Sequence, residues 1–138
     1  RSKNVGIIFQ SFNLLPSMTA LENVNLPLEI SGNFIDDEKG TKLLESVGLG
    51  QRMSHYPHEL SGGEQQRVAI ARSLISSPEI LIADEPTGNL DKKNSKEIIE
   101  LIFKLQKIHK STVILVTHDK SLADLCDQTI ILDNGIIL

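Results

Sequence analysis

Short apolar runs alternate along this chain with longer stretches in which apolar residues recur every three or four positions. The runs are Val5–Phe9, Ile80–Ala83, Val113–Val116 and Ile130–Leu132, each bounded by polar residues. Apolar on consecutive positions, they predict parallel strands covered on both faces. Between them, the stretch from Glu64 to Ile75 places Val68, Ala71, Leu74 and Ile75 on one helical face. The stretch from Ser95 to Ile108 does the same with Ile98, Leu101, Ile102, Leu105 and Ile108. Strands separated by helices predict an α/β domain with a mostly parallel sheet.

Residues from Thr19 to about His58 carry no strand pattern and read as a small helical insertion. Thr19 followed by Glu22 is a capping box that starts one helix. Asp36 or Asp37 caps a second, which holds Leu43, Leu44 and Val47 and stops at Gly48. Near the end of the chain, Asp133-Asn134-Gly135 predicts a tight hairpin turn between Ile130–Leu132 and Ile136–Leu138.

Composition narrows the class. The 138 residues are 40% hydrophobic and 23% charged, which suits one globular domain rather than a disordered chain. A net charge of -4 leaves no basic excess for a phosphate backbone, so nucleic acid is not the expected partner. No apolar run approaches the roughly 20 residues of a membrane-spanning helix. Cys126, the single cysteine, forms no intrachain disulfide and is expected to pack as a small apolar side chain. His55 and His58 lack the further ligands of a zinc site, and Lys92, Lys93 and Lys96 read as a solvated helix face.

Candidate chemistry gathers at the ends of the strands. The run Leu60-Ser61-Gly62-Gly63-Glu64-Gln65 offers a capped helix start with two glycines, where another molecule can approach unpaired N–H groups. An ordinary capped turn has the same local sequence. Asp84 and Glu85 end an apolar strand, alternate in direction, and can take separate tasks. Asp84 suits a magnesium ion that keeps several waters, and Glu85 suits orienting or deprotonating a water. The alternative is a pair of acids at a solvated strand edge. His118 ends the Val113–Val116 strand and can donate to a phosphate oxygen, while Asp119 caps the next helix. Gln10, after the first strand, can contact a metal or its water, a weak signal taken singly. Three strands each delivering a polar group at the carboxyl end, with a Gly-rich helix start among them, follow the plan of a nucleotide-phosphate site.

These residues together resemble ABC-type ATPases. Leu60–Gln65 is similar to the signature run of that family, and Ile80–Glu85 to its Walker B strand. Gln10 resembles the Q-loop glutamine, Asn89-Leu90-Asp91 the D-loop, and His118 the switch histidine. Spacing agrees, with Asp84 23 residues after Ser61 and His118 33 after Glu85. Phe12–Pro16, Leu21–Val24 and Ala83–Asp91 look most like the subfamily serving lipoprotein release and macrolide-type export.

The resemblance implies a P-loop NTPase-like parallel sheet with helices on both faces, and ATP and Mg²⁺ as cofactors. It implies Glu85 and His118 as catalytic residues, and Asp84 and Gln10 as metal contacts. Ser61, Gly62, Gly63 and Glu64 would meet nucleotide on a second ATPase subunit, and Asn89, Leu90 and Asp91 would face that subunit. Residues of about 11–76 would form a helical subdomain, with 1–10 and 77–138 in the catalytic core. That subdomain would dock integral membrane transporter subunits on the cytoplasmic face of the membrane, near Phe12, Leu14, Leu15 and Tyr56, with core packing of the insertion an equal reading for Leu14 and Leu15.

The family's phosphate loop, Gly-x-x-x-x-Gly-Lys-Ser/Thr, belongs before Gln10, and residues 1–138 contain no such run. Its strand would lie between Val113–Val116 and Ile130–Leu132. The expected chain is therefore incomplete at its amino terminus and binds ATP weakly or not at all. A non-catalytic module that supplies the signature surface in trans to an intact ATPase is the alternative. A chromosome-maintenance ATPase fits poorly, because Leu60 follows Gln10 by only 50 positions without sustained heptads. A soluble translation-associated protein would normally hold two such domains and favour nucleic acid.

Overall fold

The computed structural model describes residues 4–33, 35 and 37–138. Three strands, β1 (Val5–Ile8), β2 (Ile80–Asp84) and β3 (Thr112–Val116), form a parallel sheet in that order. Ile8 pairs with Ala83, and Asp84 pairs with Val116, so the carboxyl ends of the strands lie side by side.

Four longer helices connect and flank the sheet: α1 (Ala20–Ile30), α2 (Asp37–Ser46), α3 (Gly62–Leu74) and α4 (Lys92–His109). Capping residues fix where they begin. Thr19 and Ser61 each accept from the N–H three residues on, while Glu22 and Glu64 return the bond to the cap's own N–H. Asp91 caps α4, and Asp119 caps the short α5 (Lys120–Ala123). Asp37 is the first residue of α2; Asp36, the other cap candidate, lies outside the described residues. Gly48 follows α2 at φ +80, the left-handed conformation that stops a helix.

Helices α3 and α4 pack against the same face of the sheet. The two crossovers, β1 to β2 and β2 to β3, move the same way across the sheet. Right-handed connections of that kind deliver α3 and α4 to the same side. Gly6, Ile8, Leu81 and Ala83 are buried beneath them, with Val68, Leu74, Ile98 and Ile102. Each of the Ile, Leu and Val side chains contributes about 1.5–3 kcal/mol when removed from water. On the opposite face Ile7 is 40% and Ile114 48% exposed. One continuous cluster joins this core to Val24, Leu28, Leu43 and Leu44 of the first two helices. Gly6 lets α3 approach closely, because a Cβ there would overlap the Ser73 carbonyl oxygen.

The fourth predicted parallel strand does not form. Residues 130–131 lie outside any strand, and Leu132–Asp133 (β4) pairs only with Ile136–Ile137 (β5), antiparallel. Asn134 (φ 48) and Gly135 (φ 79) make the tight turn that the Asn-Gly pair predicts. No described strand lies along the outer edge of β3, and the segment is held by this turn, the β4–β5 pairing and the Leu138 N–H to Ile131 O bond at 3.0 Å. Ile130 and Leu132 remain largely exposed.

Candidate functional site

The polar residues predicted at the strand ends are where the parallel register puts them. Asp84 is the last residue of β2 and is exposed. Glu85 follows in the left-handed region (φ 43), its N–H donating to the Val116 carbonyl at 2.9 Å. A left-handed residue with a Cβ is disfavoured by roughly 1–2 kcal/mol. It persists here because flanking bonds hold it: Gly88 N–H donates to Glu85 O at 3.0 Å, and Leu90 N–H to Thr87 O at 3.0 Å.

This backbone turn aims the Glu85 carboxylate across the sheet at the end of β3. Oε1 receives the main-chain N–H of His118 at 2.8 Å and lies 2.7 Å from ring Nδ1. Thr117 Oγ1 stands 3.5 Å from Oε2. The Glu85 side chain is 23% exposed and that of His118 87%, so the acid is sheltered while the imidazole faces solvent. The arrangement can hold a water or substrate oxygen beside an oriented carboxylate.

Gln10 lies at the same end of the sheet, against the turn that follows Glu85. Its Nε2 donates to Asn89 Oδ1 at 3.4 Å, and Asn89 Nδ2 donates to the Gln10 carbonyl at 3.0 Å. Gly88 makes room for this contact, since a Cβ there would stand 2.5 Å from Gln10 Nε2.

The Ser61–Gly63 run meets a different set of residues. A Cβ on Gly62 would face Leu90 and Phe12, and one on Gly63 would press on Asn94 at 2.9 Å. The run therefore sits beside Asn89–Asp91 and the start of α4. Ser61 Oγ accepts the Glu64 N–H at 3.3 Å, so it caps the helix as either sequence reading allows. Gly62 and Gly63 keep first-turn N–H groups that have no intrahelical acceptor. The Ser61 N–H, as the main cause, holds the Glu64 carboxyl below its ordinary range, and Arg52 adds an ion pair at 3.4 Å. Hydrogen bonds from Asn94, its backbone first, likewise lower Asp91.

Oxygen donors for a small hard cation are the Asp84 carboxylate and the Gln10 amide oxygen, whose amide nitrogen is oriented by Asn89. Such a sparse donor set fits Mg²⁺, which keeps several waters. Among the described residues no group of three His, Cys, Asp or Glu side chains forms a denser metal cage.

Sequence patterns did not single out Gln66 or Asn23, both fully buried. Asn23 Nδ2 donates to the carbonyls of Leu15, Met18 and Thr19, and Oδ1 accepts the Leu15 N–H at 2.8 Å. Gln66 occupies the buried face of α3 with Ala69, Ile70 and Ser73. A polar residue spaced into an apolar helical face was the available signal. Of the expected docking residues, Phe12 and Leu14 are half-buried, whereas Leu15 and Tyr56 are each 41% exposed.

A family model described as ABC transporter matches residues 1–88. The chain belongs to the ABC transporter family. It is 51% identical, over 98% of its length, to an Escherichia coli protein described as uncharacterized ABC transporter ATP-binding protein YbbA. It is 50% identical, over its whole length, to the lipoprotein-releasing system ATP-binding protein LolD of Cytophaga hutchinsonii. These alignments span 60% and 64% of the two relatives. Against the macrolide export ATP-binding/permease protein MacB of Rhodopirellula baltica, identity is 48% over 99% of the chain and 21% of the relative. The dimeric post-hydrolysis structure of the ATP-binding cassette MJ0796, bound to ADP and Pi, superposes with a TM-score of 0.84. That match has 40% identity and covers 99% of this chain and 62% of the other. The ABC transporter fold is thus an α/β fold with a parallel sheet, as the strand pattern predicts. No described helix is long and apolar enough to cross a membrane.

Proposed function

We propose that residues 1–138 supply the water-activating and partner-facing part of an ATPase cassette that powers a membrane transporter for export or lipoprotein release. The observation that carries this reading is Glu85 Oε1, bonded to His118 across the adjoining ends of β2 and β3. In this reading Glu85 orients the attacking water and takes up its proton. His118, with both ring nitrogens protonated, donates from Nε2 to the terminal phosphate. Asp84 and Gln10 hold Mg²⁺, which neutralises phosphate charge when bound. Ser61, Gly62, Gly63 and Glu64 present the start of α3 to nucleotide on a second copy, with Asn89, Leu90 and Asp91 beside the joint. The dimeric state of the MJ0796 cassette supports that arrangement.

Residues 11–76 then form the helical part that meets integral membrane subunits, and residues 1–10 and 77–138 contribute to the core. The site lies on the cytoplasmic face of the membrane. No nucleic acid is engaged, in keeping with the net charge of -4.

The test is Mg²⁺-dependent ATP hydrolysis by a polypeptide in which a phosphate loop and its strand precede residue 1. Glu85→Gln is expected to lower turnover at least about 100-fold, the range for loss of a positioned base. Unchanged turnover overturns the role of Glu85. Residues 1–138 alone are expected to bind ATP weakly or not at all, and hydrolysis by them that Glu85→Gln abolishes overturns that expectation. Residues 1–138 contain no Gly-x-x-x-x-Gly-Lys-Ser/Thr run, which favours, for these residues by themselves, a second reading as a module lending its signature surface in trans.

A further inference from the structure

Two polar side chains of α3 end on main-chain carbonyls around the Gln10 loop. Gln66 is fully buried, donates from Nε2 to Pro86 O at 2.6 Å, and reaches Phe9 O at 3.4 Å. Its Oε1 is buried without a partner, an unfavourable position accepted for the sake of the amide's other end. Six residues along the same helix, Arg72 donates from one guanidinium nitrogen to Asn13 O at 2.5 Å and from the other to Phe12 O at 2.8 Å. The fork thus grips two successive carbonyls.

Those carbonyls belong to an improbable backbone. Phe12 (φ 59) and Asn13 (φ 51) are both left-handed, and neither is glycine. Two such residues in sequence persist only where their surroundings over-determine them. Within the loop itself, the Asn13 N–H bonds Ser11 O at 2.6 Å and the Phe12 N–H reaches Phe9 O at a long 3.4 Å. Arg72 supplies the outside hold, while Gln66 is bonded closely to Pro86 O after β2 and reaches the end of β1 by a longer contact to Phe9 O. Only Gln10 and Ser11 stand between these anchors.

We propose that Gln66 and Arg72 are positioning residues for Gln10: Arg72 pins the far end of residues 9–13 to α3 and Gln66 steadies the near end, so Gln10 follows the helix that carries Ser61, Gly62 and Gly63. Its consequence for Mg²⁺ and ATP rests on the function proposed above, but the mechanical link does not. A shift of α3 relative to β2 would move Gln10 against Asn89, whose side chain it already touches.

Amide hydrogen exchange across residues 1–138 tests the link without nucleotide. Arg72→Gln and Gln66→Leu are expected to speed exchange at Phe12 and Asn13 by about tenfold or more, the effect of losing one bond to a charged or buried group. Exchange in β2 and β3 should stay within about twofold. Arg72→Lys, a donor without the fork, should restore part of the protection. Unchanged exchange in the loop overturns the proposal. So does equal acceleration in every element, which marks a merely structural role. Should Gln66→Leu not fold, the half-exposed Arg72 carries the test through its two variants.

In the polypeptide carrying a phosphate loop, the same Arg72→Gln change should raise the Mg²⁺ concentration for half-maximal turnover several-fold more than it lowers kcat. Equal kcat loss with no change in Mg²⁺ requirement overturns the link to Gln10. If that polypeptide shows no Glu85-dependent hydrolysis, the functional reading fails while the exchange result still decides the clamp.

Discussion

A single carboxylate oxygen of Glu85 is bound to His118 twice, by the main-chain nitrogen at 2.8 Å and by ring Nδ1 at 2.7 Å. A carboxylate only accepts, so while Glu85 is ionised Nδ1 carries the shared hydrogen and Nε2 is left facing outward. The neutral ring then offers Nε2 as an acceptor, and only the imidazolium donates from it. His118→Ala keeps the peptide N–H on Glu85 and removes the ring. In the polypeptide with a phosphate loop, turnover is expected to fall about 100- to 1000-fold, as for one lost donor to developing charge. Turnover within about threefold of the parent would sink the role given to His118.

Gly88 separates stability from placement. An added Cβ would stand 2.5 Å from Gln10 Nε2 and 2.9 Å from its Cδ, both at the far end of a flexible side chain. Gly88→Ala is therefore expected to cost less than about 1 kcal/mol in urea unfolding while displacing the Gln10 amide from Asn89. The ATPase reading then predicts a raised Mg²⁺ requirement, measured by titration. A parental Mg²⁺ profile would show that Gln10 does not contact the metal.

Gly6 is the contrasting case. Here the obstacle is the Ser73 main-chain oxygen of a packed helix, which cannot swing aside. Gly6→Ala should cost about 1–3 kcal/mol by urea midpoint, through displacement of α3 from β1. A loss smaller than that of Gly88→Ala would mean that the helix relaxes freely.

Ser61 can be tested for its two readings at once. Ser61→Ala removes the cap and should cost about 1 kcal/mol of stability. Ser61→Asp restores a capping oxygen and should return most of that loss, yet it sets a negative charge where phosphate would dock. Parental stability with lost turnover is the expected pair of results. Full activity in Ser61→Asp would leave the run as an ordinary capped turn.

Local chemistry explains which features were legible in the sequence. The caps at Thr19 and Ser61, the Gly48 stop and the Asn134-Gly135 turn each depend on residues within three positions, so their patterns speak directly. The strand end at Asp84 and the position of His118 just past β3 were legible because an apolar run closes on polar residues. Ile130–Leu132 has the same apolar signature, but a strand needs a neighbour, and no described strand lies along β3's outer edge. The packing of α3 and α4 on the same face follows from two crossovers of the same sense, information carried by topology and not by any run of residues. Gln66 was illegible for a related reason. Its acceptors lie 20 and 57 positions away, and only folding brings Pro86 and Phe9 to one helix face.

His109, in the last turn of α4, ties this packing to pH. Burial, followed by the charge of Lys39 on α2, lowers its pKa from the ordinary 6.5. The folded state therefore prefers the neutral ring, and the unfolded chain binds the proton first as pH falls. In the window between 6.5 and the lower folded value, the unfolded state holds more protons, so stability rises with pH. Its contribution is complete above pH 6.5 and is lost as pH drops through the folded value. His109→Gln should flatten this part of the stability curve, measured by urea unfolding from pH 7.5 down to about 5. Lys39→Met should remove only the smaller, charge-dependent share of the slope. An unchanged slope in His109→Gln would assign the acid sensitivity to other groups. The carboxyls of Glu22, Glu64, Asp91 and Asp119 are all lowered, chiefly by hydrogen bonds. Their stabilising share is present above the ordinary carboxylate range and is lost as pH falls through the lowered folded values.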